Sequence, residues 1–261
     1  MFGYKTGYAK YAHQSESPEE WRGLIGAFCP YLGPTGNQVF DFSRVREHGT
    51  LSGLSAADDW IADEGGYGLY FDGTSDHIDI GTGRLPNTAD FTLTSWVKHD
   101  NTGNTNSVLF AQTSADFIFS SNSQFGGASD QIRLVMDAEI LVGPSINDGI
   151  WHHVVLTRKV NTYDLYVDGL FNTTGTSARN PGTGTSYIGQ RVDGGSTQSH
   201  LGLLDDIRIY DRVLSDGLIK QMYENGRASM FVPTEAVFDA GIGLSSGGDG
   251  LRTLALTGVG L

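Results

Sequence analysis

Residues 151–169 read "WHHVVLTRKVNTYDLYVDG". Two runs inside this stretch, WHHVVLTR and TYDLYVDG, are rich in β-branched and aromatic residues, and they read as an antiparallel pair. The second run closes on Asp168-Gly169, and Asp-Gly beside alternating apolar residues is a strong short-range turn signal. Successive strand residues point to opposite faces. His152 and His153 therefore diverge and cannot form one ligand pair. One is expected to be buried and the other to face solvent.

The same pattern extends in both directions. GLYFDG, HIDIG, SVLFAQ, DFIFSS, QIRLVM, EILVG, SYIGQ and LLDDIRIYDR are short apolar runs divided by Gly, Asp and Asn. In DFTLTSWVKH, Phe91, Leu93, Ser95 and Val97 share one face, while Thr92, Thr94, Trp96 and Lys98 share the other. In HIDIG, Ile78 and Ile80 face the core, with His77 and Asp79 outward. Asp-Gly recurs at 72–73, 148–149, 168–169 and 193–194, each expected to be a hairpin turn. About a dozen strands with closely spaced turns imply an all-β, two-sheet sandwich or barrel. The 36 glycines among 261 residues fit that turn-rich class.

One segment has helical period. In LSDGLIKQMYENG, Ser215 is a good N-cap and Asp216 suits the positive end of the helix dipole. Ile219, Met222 and Tyr223 form an apolar stripe, expected to close an edge or end of the sandwich. Asn225-Gly226 is the expected stop. Residues 1–20 show no strand or helix period, and residues 230–261 are apolar but rich in Gly, Ser, Thr and Ala, a composition that could add strands to the sandwich or form an arm. Both segments are expected to be flanking arms on a domain spanning 21–229, the second arm Gly-rich and apolar.

Seventeen basic and 30 acidic residues give a net charge of −13. No basic cluster offsets it, so nucleic acid is excluded as a partner. The single cysteine, Cys29, cannot form an intrachain disulfide and is expected to be a small buried hydrophobe. No apolar run is long enough to span a membrane as a helix, and the N-terminus lacks a signal-peptide pattern.

Taken in order, DFSRVREHGTLSG, YGLYFDGTSDHIDIG, FTLTSWVKH, DGIWHHVVLTR, YDLYVDG, SYIGQ and LLDDIRIYDRVLSDGLIKQMYENG resemble the laminin-G-like jelly-roll family of the concanavalin A-like lectin/glucanase superfold. The likeness runs from about Trp21 to Gly226. Leu218 departs from it, standing where the family usually has a Glu that completes a capping box. The resemblance implies a sandwich of two antiparallel sheets, one of them curved with a concave face. The flanks WRGLIGAFCPYLGPTG and IKQMYENGRASMFVP look like extensions of phage-type members. That likeness implies a virion surface protein, such as a capsid decoration, head fibre or tail component. Its arms would bind its own copies or other virion proteins, giving a homo-oligomer. The alternative is a carbohydrate-binding module of a secreted or cell-surface protein.

Catalysis is not expected. Glycoside hydrolysis needs two carboxylates on one face, about 5 to 9.5 Å apart. Asp76 and Asp79 fall on opposite sides of a strand, Asp205 and Asp206 are adjacent and diverge, and Asp137 and Glu139 flank a turn. The resemblance implies a Ca²⁺ site at Asp41, Asp72 and Asp205. Asp72 also reads as a turn residue that caps its own backbone. For a glycan, the candidate stacking residues are Trp96, Tyr166 and Tyr187, each of which could instead pack into the core.

Overall fold

A computed structural model describes residues 18–30, 33–63, 66–100, 107–113, 117–121, 131–136, 138–191 and 198–230. The two expected arms lie outside these residues, apart from positions 18–20 and Met230. In chain order, a short helix α1 (Pro18–Trp21) precedes β1 (Leu24–Phe28), β2 (Gln38–Val39), β3 (Gly49–Ser52), β4 (Trp60–Asp63), β5 (Gly66–Asp72) and β6 (His77–Thr82). Then follow β7 (Phe91–His99), β8 (Ser107–Gln112), β9 (Phe117–Ser121), β10 (Gln131–Met136), β11 (Ala138–Ser145) and β12 (Trp151–Lys159). The chain continues through β13 (Thr162–Val167), β14 (Leu170–Thr176), β15 (Thr185–Ile188), β16 (Gln190–Arg191), β17 (Gln198–Ser199) and β18 (Leu201–Tyr210) to helix α2 (Asp216–Met230).

Two eight-stranded antiparallel sheets face each other. Sheet A runs β14-β13-β12-β7-β18-β5-β4, with β1 also paired to β18. Sheet B runs β11-β10-β9-β8-β15-β6-β3-β2. The all-β jelly-roll sandwich expected from the sequence is the fold observed.

The core lies between the sheets. Phe91, Leu93 and Val97 of sheet A point inward, as alternation predicts, and meet Phe110, Phe117 and Ile78 of sheet B. Phe91 and Phe117 pack edge to face across the sandwich with centroids 6.1 Å apart. That geometry adds about 0.5–1.5 kcal/mol beyond the area buried. At one end, two histidines are enclosed in the core: His99 and His200 meet edge to face at 4.8 Å. Ser107 Oγ lies 2.6 Å from His200 Nδ1, and Ser121 Oγ bonds His99 Nε2.

The Asp-Gly turns divide into two kinds. At Asp168-Gly169 both residues have positive φ, 52° and 76°, which is the conformation of a two-residue type I′ hairpin. It joins the neighbouring strands β13 and β14. Asp72-Gly73 is not a hairpin turn, because β5 belongs to sheet A and β6 to sheet B. Asp148-Gly149 likewise passes the chain from β11 of sheet B to β12 of sheet A. Local Asp-Gly chemistry sets the bend, while the hydrophobic faces on either side decide where the next strand pairs. The turn at 193–194 lies outside the described residues.

Helix α2 corrects two expectations. It does not stop at Asn225-Gly226 but continues to Met230. Gly226 is buried, and a Cβ there would lie 2.5 Å from the Trp96 ring. Glycine is thus present for close approach to sheet A and not to cap the helix. The apolar stripe does not close an edge or end either. Leu218, Ile219 and Met222 cover Val155, Tyr166 and Tyr210 on the outer face of sheet A. Leu218 accounts for its own departure from the capping pattern, since it is 8% exposed and packs in this cluster.

Candidate functional site

The two outer faces of the sandwich differ. On sheet A, Trp96 stacks on Tyr223 of α2 at 5.9 Å and lies 5.2 Å from the His153 ring. Trp96 is 1% exposed. Tyr166 is also buried beneath α2, and its hydroxyl donates a 2.8 Å hydrogen bond to Asp216. Burial first, and then that bond, push the Tyr166 phenol well above its ordinary range. Two of the three aromatic candidates are therefore packing residues of the helix–sheet layer.

Tyr187 is placed differently. On the outer side of sheet B a row of paired residues runs Val135, Ile118, Ala111, Tyr187, Asp79 and Thr50. Half of this row is closed, with Val135, Ile118 and Ala111 buried together with Val108. The other half is open: Tyr187, Asp79 and His77 are half-buried, and Thr50 and Ser52 are exposed. The His77 ring packs edge to face on Tyr187 at 5.5 Å. Asp79 Oδ1 accepts the Gly81 N–H at 2.8 Å. Tyr187 stands at the boundary, as an aromatic ring beside an apolar wall with a carboxylate and hydroxyls across from it. His77 and Asp79 carried an outward-facing signal in the strand alternation, but nothing in sequence paired them with Tyr187.

The expected carboxylate ligands are not gathered. Asp41 is 1% exposed and accepts the N–H groups of Ala27, Ser43 and Glu47 and the guanidinium of Arg84. It ties the segment 41–47 to β1. Asp72 is exposed and accepts from the Thr74 N–H and hydroxyl and from the Ser75 N–H. Its slight burial opposes ionisation, but these bonds outweigh it and hold the carboxyl below its ordinary value. Asp72 pairs with Leu201, and Asp205 lies four residues further along β18, about 13 Å at the usual strand rise. Asp205 is buried and accepts from the Cys29 thiol at 3.6 Å, which places Cys29 in the interior as expected. The three aspartates do not fit one Ca²⁺ site, and no group of three His, Cys, Asp or Glu residues among those described could hold a metal ion.

Strand parity fails at Asp205-Asp206. The pairing of β18 with β7 slips between Asp205 and Arg208, and Asp206 takes φ 48°. This bulge sends Asp205, Asp206 and Arg208 to the same outer side. There Arg208 grips Asp206 through two bonds of 2.7 and 2.9 Å and reaches Glu20 at 3.3 Å. Glu20 is buried by these contacts, so α1, which begins inside the segment expected to be an arm, packs on the sandwich. Asp206 and Glu20 are thus spent on Arg208, and Asp205 on Cys29 and the Asp206 N–H. Asp137 lies outside the described residues, and Glu139 is paired to Arg133.

The two adjacent histidines have opposite surroundings. His153 is fully buried, and burial lowers its pKa to about 4, with Arg208 adding to the effect against the pull of Asp206 and Asp168. Burial also disfavours the charge on His152, but Asp168 at 2.8 Å and Asp148 at 3.1 Å outweigh it and raise its pKa. Among the described residues, no helix is long and apolar enough to cross a membrane.

Comparison with known proteins places this architecture. The laminin G model of the concanavalin A-like lectin/glucanases superfamily matches residues 72–220, more than half of the chain. The chain belongs to this superfamily. Among solved superfamily-like folds, domain 4 of AbnA, a GH43 extracellular arabinanase from Geobacillus stearothermophilus in complex with arabinotriose, superimposes with a TM-score of 0.60. It is 18% identical, and the match covers 77% of this chain and 98% of that one. Trypanosoma rangeli sialidase in complex with sialic acid gives a TM-score of 0.59 at 20% identity, covering 80% of this chain and 34% of that one. Among curated proteins, the Sushi, von Willebrand factor type A, EGF and pentraxin domain-containing protein 1 of Rattus norvegicus is 31% identical over 90 residues. That match takes in 30% of this chain and 2% of the relative, so the chain spans a small fraction of that protein.

Proposed function

We propose that this chain is a non-catalytic glycan-binding jelly roll whose binding face is the open half of sheet B, centred on Tyr187. The observation that carries the reading is the placement of Tyr187. Of the three candidate aromatics it alone stays partly open on its outer face, with an apolar wall at Ala111 on one side and Asp79 directly opposite on the other. A sugar presents an apolar C–H face and a rim of hydroxyls, and such a platform with a few polar groups suits both. Domain 4 of the arabinanase, which shares the fold, was solved with arabinotriose, and this supports the class of ligand. No part of the reading requires Ca²⁺.

The setting we propose is a virion surface, with the terminal segments holding the domain to its own copies or to other virion proteins. That part rests on the resemblance of the flanks WRGLIGAFCPYLGPTG and IKQMYENGRASMFVP to extensions of phage-type members of the family. Removal of residues 231–261 should then lower the oligomeric state measured by light scattering, and unchanged assembly would remove this setting.

The binding reading is tested with the full chain on a panel of immobilised oligosaccharides. The wild type should bind at least one family of glycans, and Tyr187→Ala should lose at least about tenfold in affinity with its folding intact. Equal binding by Tyr187→Ala would rule out this face.

A further inference from the structure

Resting on the glycan-binding reading, we propose that the Tyr187 face selects uncharged glycans and excludes those carrying a carboxylate or sulfate. The argument is one of charge placement. Across all eight strands of sheet B there is a single Lys or Arg, Arg133. Arg133 lies in the closed half of the face, is 3% exposed, and is engaged by Glu139 and Gln131. The open half holds one charged side chain, Asp79, and it is negative and directly opposite Tyr187. Asp79 Oδ1 is used by the Gly81 N–H, while Oδ2 has no partner among the described residues and can accept a sugar hydroxyl.

The arginines that flank these strands, Arg44, Arg46, Arg84, Arg179 and Arg191, lie off sheet B itself, and Arg44 is paired to Asp211 and Arg84 to Asp41 and Glu47. Segments 101–106, 114–116, 122–130, 137 and 192–197 contain Asp116, Asp130, Asp137 and Asp193 and no Lys or Arg. The chain as a whole carries −13. A neutral glycan needs only a stacking face and hydroxyl partners, and both are present. An acidic one must shed water from its anion without a cation or a charge-assisted donor to replace it, beside a carboxylate within a Debye length of about 8 Å. The sheet is thus built to accept hydroxyls and to repel acids.

The test uses pairs of oligosaccharides that differ only by a terminal sialic acid or sulfate. Binding to the full chain is measured at about pH 8. The neutral member of each pair should bind at least about tenfold more tightly, and the gap should narrow in about 1 M salt and in Asp79→Asn. Equal or tighter binding of the acidic members would overturn the selectivity while leaving glycan binding in place. Failure of the wild type to bind either member would overturn the glycan reading and the selectivity with it.

Discussion

The two outer faces of this sandwich are made of similar material and meet different fates. Sheet A presents Trp96, Val155 and Tyr166, and a 15-residue helix lies across them. Sheet B presents Tyr187, His77 and Asp79, and these stay partly open. An exposed aromatic candidate can therefore be judged only once the position of the helix is known. The aromatic residues that look most like a binding surface in sequence are those the fold uses to dock α2. The difference also separates stability from recognition: changes under the helix should cost folding, and changes on the open face should cost binding.

Trp96→Ala should break this contrast most severely, by emptying the space beneath α2. A loss of about 3–5 kcal/mol in chemical denaturation is expected for removing a buried tryptophan. Lowering the pH attacks this layer through His153 and the core between the sheets through His200. In the unfolded chain His153 and His200 take up protons near the ordinary imidazole value of about 6.5. In the folded protein His153 does so only at about 4, and His200 also well below normal because of burial and the neighbouring His99. The unfolded state thus binds more protons in between, so stability is lost as the pH falls from about 6.5 toward 4. His153 alone contributes on the order of 3 kcal/mol over that window. Urea midpoints measured across it should follow this slope, and His153→Phe should flatten part of it. His152 acts in the opposite sense, since its raised pKa supplies stability below about 6.5 that is lost as the pH rises.

Gly226→Leu should cost about 1–3 kcal/mol in thermal denaturation, because the new side chain collides with Trp96 and lifts the helix. At the small end, Tyr187→Ala should shift stability by less than about 1 kcal/mol, as expected for a half-open position. It should nonetheless abolish glycan capture. A large loss of stability in Tyr187→Ala would erase the distinction between the two faces.

Much of the fold was legible because alternation is a local property. The inward set Phe91, Leu93 and Val97 and the outward set Thr92, Trp96 and Lys98 are placed as read, and so are Ile78 and Ile80. The hairpin at Asp168-Gly169 was legible for the same reason. What was not legible depends on distant partners. Asp72-Gly73 has the chemistry of a hairpin turn, yet it carries the chain between sheets, because β6 pairs with β3 and β15 and not with β5. The bulge at Asp206 has no sequence signature, and it overturns the parity argument for Asp205-Asp206. Gly226 looks like a helix stop until Trp96, 130 residues earlier, is seen against it. For the candidate site, Tyr187 was visible as an aromatic on a strand. Its partners Asp79 and His77 required the register of β15 on β6.

The position of β18 has a consequence for how the chain is made. It is the last strand in sequence among the described residues, yet it sits in the middle of sheet A, against β7 on one side and against β5 and β1 on the other. Its pairing of Tyr210 with Leu24 joins residues 186 positions apart. Until β18 emerges from the ribosome, β14-β13-β12-β7 and β5-β4 are separate half-sheets with raw edges, and β1 has no partner. At synthesis rates of about 5–20 residues per second, those edges wait for several seconds before they can close. Contacts of such long range also make the closing step slow. A nascent chain of this protein is therefore most exposed to faulty pairing with its neighbours just before β18 emerges.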